Sequence, residues 1–212
     1  MTGLRGYQDL LVNATTPQLW REGYRRLVWV LPTGAGKTRC AQTLIARMRA
    51  TDWCAVYYFA HTTELVTQPA SGFASRDVRF GFLKAGLAGD GAAAVQLCSS
   101  ATAVNRSFYA LPRNDGAPHR RCVAFVDEGH RVKTRTILRI LSSLSAVYET
   151  VYVVIMTATP YRADGRGMTD VADALVAAED RDAVVGQAEE RAGDRHPARI
   201  VRRNADHMAG SQ

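Results

Sequence analysis

The chain has 212 residues, 47% apolar and 22% charged, enough to bury one full core. No apolar run reaches the roughly 18 residues that a bilayer span needs, and Arg5 and Asp9 break the stretch a secretory leader would occupy, which predicts a soluble, cytoplasmic protein. Residues 1–160 hold 19 Lys and Arg against 10 Asp and Glu, whereas residues 161–212 hold 8 against 10, so the net charge of +7 sits in the front part and points to a polyanionic partner such as nucleic acid.

Short β-branched runs alternate with helical stretches, the pattern of an α/β domain with a mostly parallel sheet flanked by helices. Strands are expected over 27–31, 56–60, 79–83, 95–98, 123–126 and 151–156, with helices over 38–50, 62–68, 101–109 and 136–144. The four cysteines (Cys40, Cys54, Cys98 and Cys122) lack paired metal-ligand spacing and mostly sit in apolar runs, which predicts reduced core thiols.

After the first strand comes "PTGAGKT", residues 32–38, and then a helix with apolar Leu44, Ile45 and Met48. A strand, a glycine-rich turn and a helix in that order form a phosphate cradle. Gly34 and Gly36 let the backbone from Thr33 through Ala35 curl its N–H groups inward, and the helix adds its positive end. Lys37 is expected to reach the β- and γ-phosphates of a nucleotide, and the Thr38 hydroxyl to ligate Mg²⁺. The usual first glycine of this motif is absent, its place being taken by Leu31 or Pro32.

Further on, "FAHTTELVTQ", residues 59–68, runs from strand into helix, so that His61, Thr62 and the helix N-terminus could meet a nucleic-acid phosphate. An ordinary N-cap at Thr62 or Thr63 fits the same residues. In "LCSSATAVNR", residues 97–106, the hydroxyls of Ser99 and Thr102 are phosphate-contact candidates, with Asn105 and Arg106 beyond them. "LPRNDGAPH", residues 111–119, reads as a surface loop. "CVAFVDEGH", residues 122–130, closes an apolar strand with two carboxylates at the sheet's carboxyl edge, where ligands sit. Asp127 there suits Mg²⁺, and Glu128 suits a base that polarises a water attacking the γ-phosphate.

"DEGH" resembles the D-E-x-H box of superfamily 2 helicases and translocases, and "MTATPYR", residues 156–162, resembles their S/T-A-T motif. The resemblance covers residues 4–162 and is closest in style to DExH motors of DNA repair and restriction. It implies a RecA-like P-loop domain, the first of two in that family, with ATP and Mg²⁺ as cofactors and DNA more than RNA as the track. It also implies that Thr157 and Thr159 couple nucleotide state to nucleic-acid grip and that His130 bridges the two motifs. "LRGYQ" resembles the family's adenine-reading element, and the Gln8 carboxamide matches the donor and acceptor of adenine. "FAHTTELVTQ" resembles motif Ia. "LCSSATAVNR" stands where related motors often read S-x-Q-T, without the glutamine.

Residues 163–212 lack aromatics, cysteine and lysine. They read as a linker or poorly packed tail with no strand runs, whose shift in composition suggests a truncated or frame-shifted longer gene, so the expectation is a helicase-type ATPase that needs a second motor domain from elsewhere. The alternative readings are a catalytically idle interaction module that keeps the fold and, disfavoured for want of an acceptor site, a small-molecule kinase.

Overall fold

The computed structural model describes residues 3–51, 53–84, 86–87, 89–105, 120–159, 171–177 and 200–202, without the side chains of Thr63, Val104, Asn105, His130 and residues 200–202. Eight strands form one sheet in the order β3-β4-β2-β5-β6-β1-β7-β8. They are β1 (Arg26–Val30), β2 (Ala55–Ala60), β3 (Phe80–Leu83), β4 (Val95–Ser99), β5 (Arg121–Val126), β6 (Thr150–Thr157), β7 (Ala174–Ala177) and β8 (Ile200–Arg202). All pairings are parallel except β7 with β8.

Both faces of the sheet are covered, which is why its strands read as continuous apolar runs. One face carries Leu27, Trp29, Tyr58, Phe125 and Met156 against helix α3 (Lys37–Ala50) and α4 (Thr63–Ala74). The other carries Val28, Phe59, Val126 and Ile155 against α6 (Thr134–Ser145), whose Ile137, Ile140 and Leu144 are buried. A short α5 (Ser100–Asn105) follows β4. All four cysteines are buried free thiols, and burial pushes that of Cys40 up to about 12.

The six expected strands are present, each within about two residues. Three further features depart from the sequence expectation. The first is an N-terminal helical stretch made of α1 (Gly6–Leu10), a π-helical turn (Leu11–Thr15) and α2 (Thr16–Arg21). Its buried residues come in pairs every four positions: Tyr7 and Gln8, Leu11 and Val12, Thr15 and Thr16, Leu19 and Trp20. A four-residue repeat drifts by about 40° per turn around an ordinary α-helix. The wider π turn takes up part of that drift and keeps the pairs on one face. Three of the eight buried residues are polar, which hides the pattern; Thr16 is there to accept from Trp29 Nε1 at 3.1 Å.

The second departure is in α4, which runs through Pro69 instead of ending at residue 68. Proline removes the helical hydrogen bond to the Leu65 carbonyl; the helix continues all the same, with Gln42 Nε2 donating to the Pro69 carbonyl at 3.0 Å and Phe73, one turn on, fully buried. In the third, β7 and β8 come from the region read as a tail, and β7 joins the main sheet beside β1. Four residues, "ALVA", are too short and too rich in alanine to announce a strand. The segments 106–109, 111–119 and 160–170 lie outside the described residues, as does Arg106. Among the described residues, no helix is long and apolar enough to cross a membrane.

Asp173 fixes β7 to β1. Its carboxylate accepts from the backbone N–H groups of Arg25 and Arg26 at 3.0 and 2.9 Å and from Arg26 Nε and Nη2 at 3.0 and 2.7 Å. Burial pushes the carboxyl up, but these donors outweigh it and hold it below the usual range. A depressed folded-state pKa contributes stability that is complete above the unfolded value of about 4 and is lost as pH falls through the folded value. Asp173→Ala is therefore expected to cost about 1.5 kcal/mol near pH 7, the low end for charged hydrogen bonds because the pair is partly exposed. Urea unfolding from pH 7 down to pH 3 should show that difference shrinking only below about pH 4.

Candidate active site

The site is built at the carboxyl ends of β1, β6 and β5. After β1 the chain turns through Gly34 and Gly36, whose φ angles of +81° and +85° lie in the left-handed region. A Cβ on Gly34 would meet nothing within 4 Å, whereas one on Gly36 would stand 2.6 Å from Gln8 Nε2. Gly36 then serves as the N-cap of α3. The turn thus has the left-handed glycines and the helix entry of a phosphate cradle.

Lys37 opens α3 and is 9% exposed; its Nζ donates to the Leu31 carbonyl at 3.3 Å and lies 3.7 Å from Glu128 Oε1. Glu128 follows β5 in a left-handed conformation, φ +48°, that side chains other than glycine adopt at a cost. Asp127 before it is 4% exposed. Asp127 Oδ2 accepts from the Tyr58 hydroxyl at 3.0 Å, and Oδ1 accepts from the Glu128 N–H at 3.0 Å. Burial pushes the Asp127 carboxyl up; the Tyr58 bond and the Lys37 charge pull it back down, while the neighbouring Glu128 charge pushes it further up. The Tyr58 phenol, fully buried, is held far above its ordinary range by burial and by this carboxyl and stays protonated, with the neighbouring Thr38 hydroxyl pulling the other way.

Gln8 reaches the same turn from the N-terminal helical stretch. Its Nε2 donates to the Ala35 carbonyl at 2.7 Å and its Oε1 accepts from the Arg5 N–H at 3.0 Å. The Tyr7 hydroxyl donates to the same carbonyl, also at 2.7 Å. Thr157 ends β6 between the two site strands; its carbonyl accepts from the Leu31 N–H at 2.9 Å, and its Oγ1 donates to the Thr159 carbonyl at 2.8 Å. Gly129–Arg131 form a 3₁₀ turn, with the His130 side chain outside the description.

The structure therefore brings Gln8, Ala35, Gly36, Lys37, Thr38, Asp127, Glu128 and Thr157 to one edge. His61, Thr62, Ser99 and Thr102 share that edge but lie farther along it, on the neighbouring strands β2 and β4, where Ala60 and Ser99 are in register. Thr62 N-caps α4, accepting from the Leu65 N–H at 3.3 Å, and is exposed, as is His61. Ser99 is buried and Thr102 half-buried. Tyr58 escaped sequence reasoning because a tyrosine inside an apolar strand reads as core; the signal that could have found it is its place two residues before the strand's end, opposite the strand that leads into Asp127.

A family model described as the res subunit of type III restriction enzymes matches residues 2–162. The chain belongs to that family. Among solved structures, the UvsW helicase from bacteriophage T4 is 19% identical with a TM-score of 0.55, over 75% of this chain and 54% of that one. The Hef helicase domain of Pyrococcus furiosus is 23% identical with a TM-score of 0.54, over 74% and 33%. The SWI2/SNF2 ATPase core of Sulfolobus solfataricus, solved with double-stranded DNA, is 14% identical with a TM-score of 0.54, over 75% and 32%. No individual curated protein matches the sequence. This restriction-enzyme-family chain thus has the fold of the first RecA-like domain of superfamily 2 helicases, and it spans between a third and about half of the helicase chains it resembles.

The two glycines separate strain from crowding. Gly34→Ala should cost roughly 1–2 kcal/mol for the left-handed conformation alone, and Gly36→Ala should cost more because the new methyl displaces Gln8. In a Gln8→Ala background the two substitutions should become equal in denaturant unfolding. An unchanged gap between them would place the extra cost elsewhere.

Proposed function

We infer that this domain binds ATP with Mg²⁺ and hydrolyses it as the first motor domain of a nucleic-acid translocase or helicase, acting on DNA more than RNA. The observation that carries this reading is the 3.7 Å approach of Lys37 Nζ to Glu128 Oε1, which sets the phosphate-turn lysine against the strand-end carboxylate pair. A cation and a carboxylate held in that way face one small volume, where a γ-phosphate and its attacking water would lie. The residues also fit the metal. Thr38 and Asp127 offer hard oxygen ligands, the kind that Mg²⁺ prefers, and Tyr58 neighbours both, donating to Asp127.

In this reading the turn from Thr33 to Gly36 cradles the phosphates, and Lys37 bridges the β- and γ-phosphates. Mg²⁺ at Thr38 and Asp127 would neutralise charge on the phosphate oxygens. Glu128 takes the proton from the attacking water, and His130 links the two motifs. Gln8 reads adenine by exchanging its present bond to Ala35 for bonds to the base. Thr157 and Thr159 carry the nucleotide state toward the nucleic-acid edge, where His61, Thr62, Ser99 and Thr102 meet phosphates. A second RecA-like domain, elsewhere in a longer protein or on another chain, supplies the arginine that in related chemistry is worth about 10³ to 10⁵ in rate. The span of one third to one half of the helicase chains resembled supports that arrangement.

Two substitutions separate binding from turnover. Lys37→Ala should abolish ATP binding, because a methyl cannot replace a point charge against phosphates. Glu128→Gln should keep binding but lose about 10²- to 10⁴-fold in turnover, since an amide cannot accept the proton. Nucleotide titration beside phosphate release reads both, and equal loss of affinity in the two variants contradicts the assignment. An idle module would show no turnover to lose.

DNA binding should be salt-sensitive and nearly blind to sequence, because phosphate contacts carry no code. A labelled single strand titrated at several salt concentrations should give a log–log slope of about −0.7 per phosphate neutralised. Affinity indifferent to salt would remove the polyanion-tracking surface from this reading.

A further inference from the structure

A buried tyrosine joins the two residues that are the candidates for holding the metal. Tyr58 lies on β2, fully buried, with its ring stacked on Phe125 of β5 at 6.4 Å between centroids and 18° between planes. That packing leaves its hydroxyl at the carboxyl edge of the sheet, where it donates to Asp127 Oδ2 at 3.0 Å and has the Thr38 hydroxyl beside it. The three groups form a chain running from the first turn of α3 to the end of β5.

The direction of the protons along this chain follows from the chemistry of its far end. An ionised carboxylate only accepts, so the Tyr58 proton points to Asp127. The Tyr58 oxygen is then left as an acceptor, and the proton of Thr38 points to Tyr58. A threonine hydroxyl whose proton is so committed keeps both lone pairs free, and a lone pair is what a metal ion requires of it. The same bond fixes the rotation of the Asp127 carboxylate, whose other oxygen is held by the Glu128 N–H at 3.0 Å.

We propose that Tyr58 is a positioning residue for Mg²⁺: its hydroxyl orients Thr38 and Asp127 together, so that the metal meets two preset oxygen ligands. This rests on the ATP and Mg²⁺ reading above and adds to it a residue that touches neither the nucleotide nor the metal. Partners of metal ligands generally account for about 10- to 100-fold in metal affinity or activity. Phe73 and Phe125, buried on the same face of the sheet, have no hydroxyl with which to do this.

The test compares the unsubstituted chain with Tyr58→Phe, which keeps the ring and removes the hydroxyl. Binding of a fluorescent ATP analogue is measured in EDTA and then across a Mg²⁺ titration, and Mn²⁺ binding in the presence of ADP is followed by electron paramagnetic resonance. The expected result is unchanged affinity for the analogue in EDTA, with metal half-saturation raised about 10-fold or more in both metal titrations. Tyr58→Met, which also lacks the hydroxyl, should show the same metal shift if either variant is destabilised, with thermal unfolding recording the fold. A metal requirement unchanged in both Tyr58 variants overturns the positioning role while leaving the ATP reading standing. Absence of analogue binding to the unsubstituted chain, with or without metal, overturns both.

Discussion

The site depends on the sheet register that keeps the carboxyl ends of β1, β6, β5 and β2 level. Two hydrogen bonds carry that register past the last ladder pairs: the Leu31 N–H to the Thr157 carbonyl at 2.9 Å and the Asp127 N–H to the Phe59 carbonyl at 2.8 Å. Because β6 lies between β1 and β5, the phosphate turn and the carboxylate pair are two strand spacings apart, about 10 Å. A lysine side chain is long enough to bridge much of that gap, and a carboxylate held in a left-handed turn points back to meet it. Slip one strand by a residue and its side chains change faces. Lys37 and Glu128 would then no longer share a volume.

That geometry holds charge away from water, and each buried charge is matched. Lys37 has a backbone carbonyl and a carboxylate; Asp127 has a hydroxyl and an N–H. Unmatched, either would carry a large desolvation penalty. Matched, they remain a polar cluster inside an apolar sheet, and the clamp of Tyr7 and Gln8 on Ala35 ties the glycine turn to the N-terminal helical stretch. The glycine turn is therefore gripped from outside.

Much of this was legible in the sequence because the physics there is local. A strand, two glycines and a helix define the glycine turn whatever surrounds them, and an apolar run ending in Asp-Glu defines the opposite wall. The six strands of the sheet core announce themselves because burial on both faces demands continuous β-branched and aromatic residues. What could not be read depended on partners distant in the chain. The N-terminal helical stretch hides behind polar residues that are buried only because Trp29 and Ala35 receive them. Strand β7 exists because Asp173 finds Arg26, 147 residues away. The continuation of α4 past Pro69 is anchored by Phe73, buried in the core, and by a contact from Gln42 of another helix. Tyr58 looks like core until Asp127 and Thr38 are placed beside it.

Strand β2 also connects what the sequence presented as separate motifs. Within three consecutive residues it gives Asp127 a hydroxyl from Tyr58, accepts the Asp127 N–H at the Phe59 carbonyl, and accepts the Ser100 hydroxyl at the Ala60 carbonyl at 3.2 Å. The next residues, His61 and Thr62, are the exposed edge and the cap of α4. Asp127 is thus bonded to a strand whose end carries the candidate phosphate contacts, and Ser100 ties the adjoining candidate segment on β4 and α5 to the Ala60 carbonyl of that strand. Rigid contiguity of this kind does not amount to coupling, which requires two arrangements that both sites bias. It does limit where the second arrangement can arise: β2 is held by ladders on both sides, so the element free to change lies at its end, in the turn from Ala60 to Thr62 and the helix that Thr62 caps.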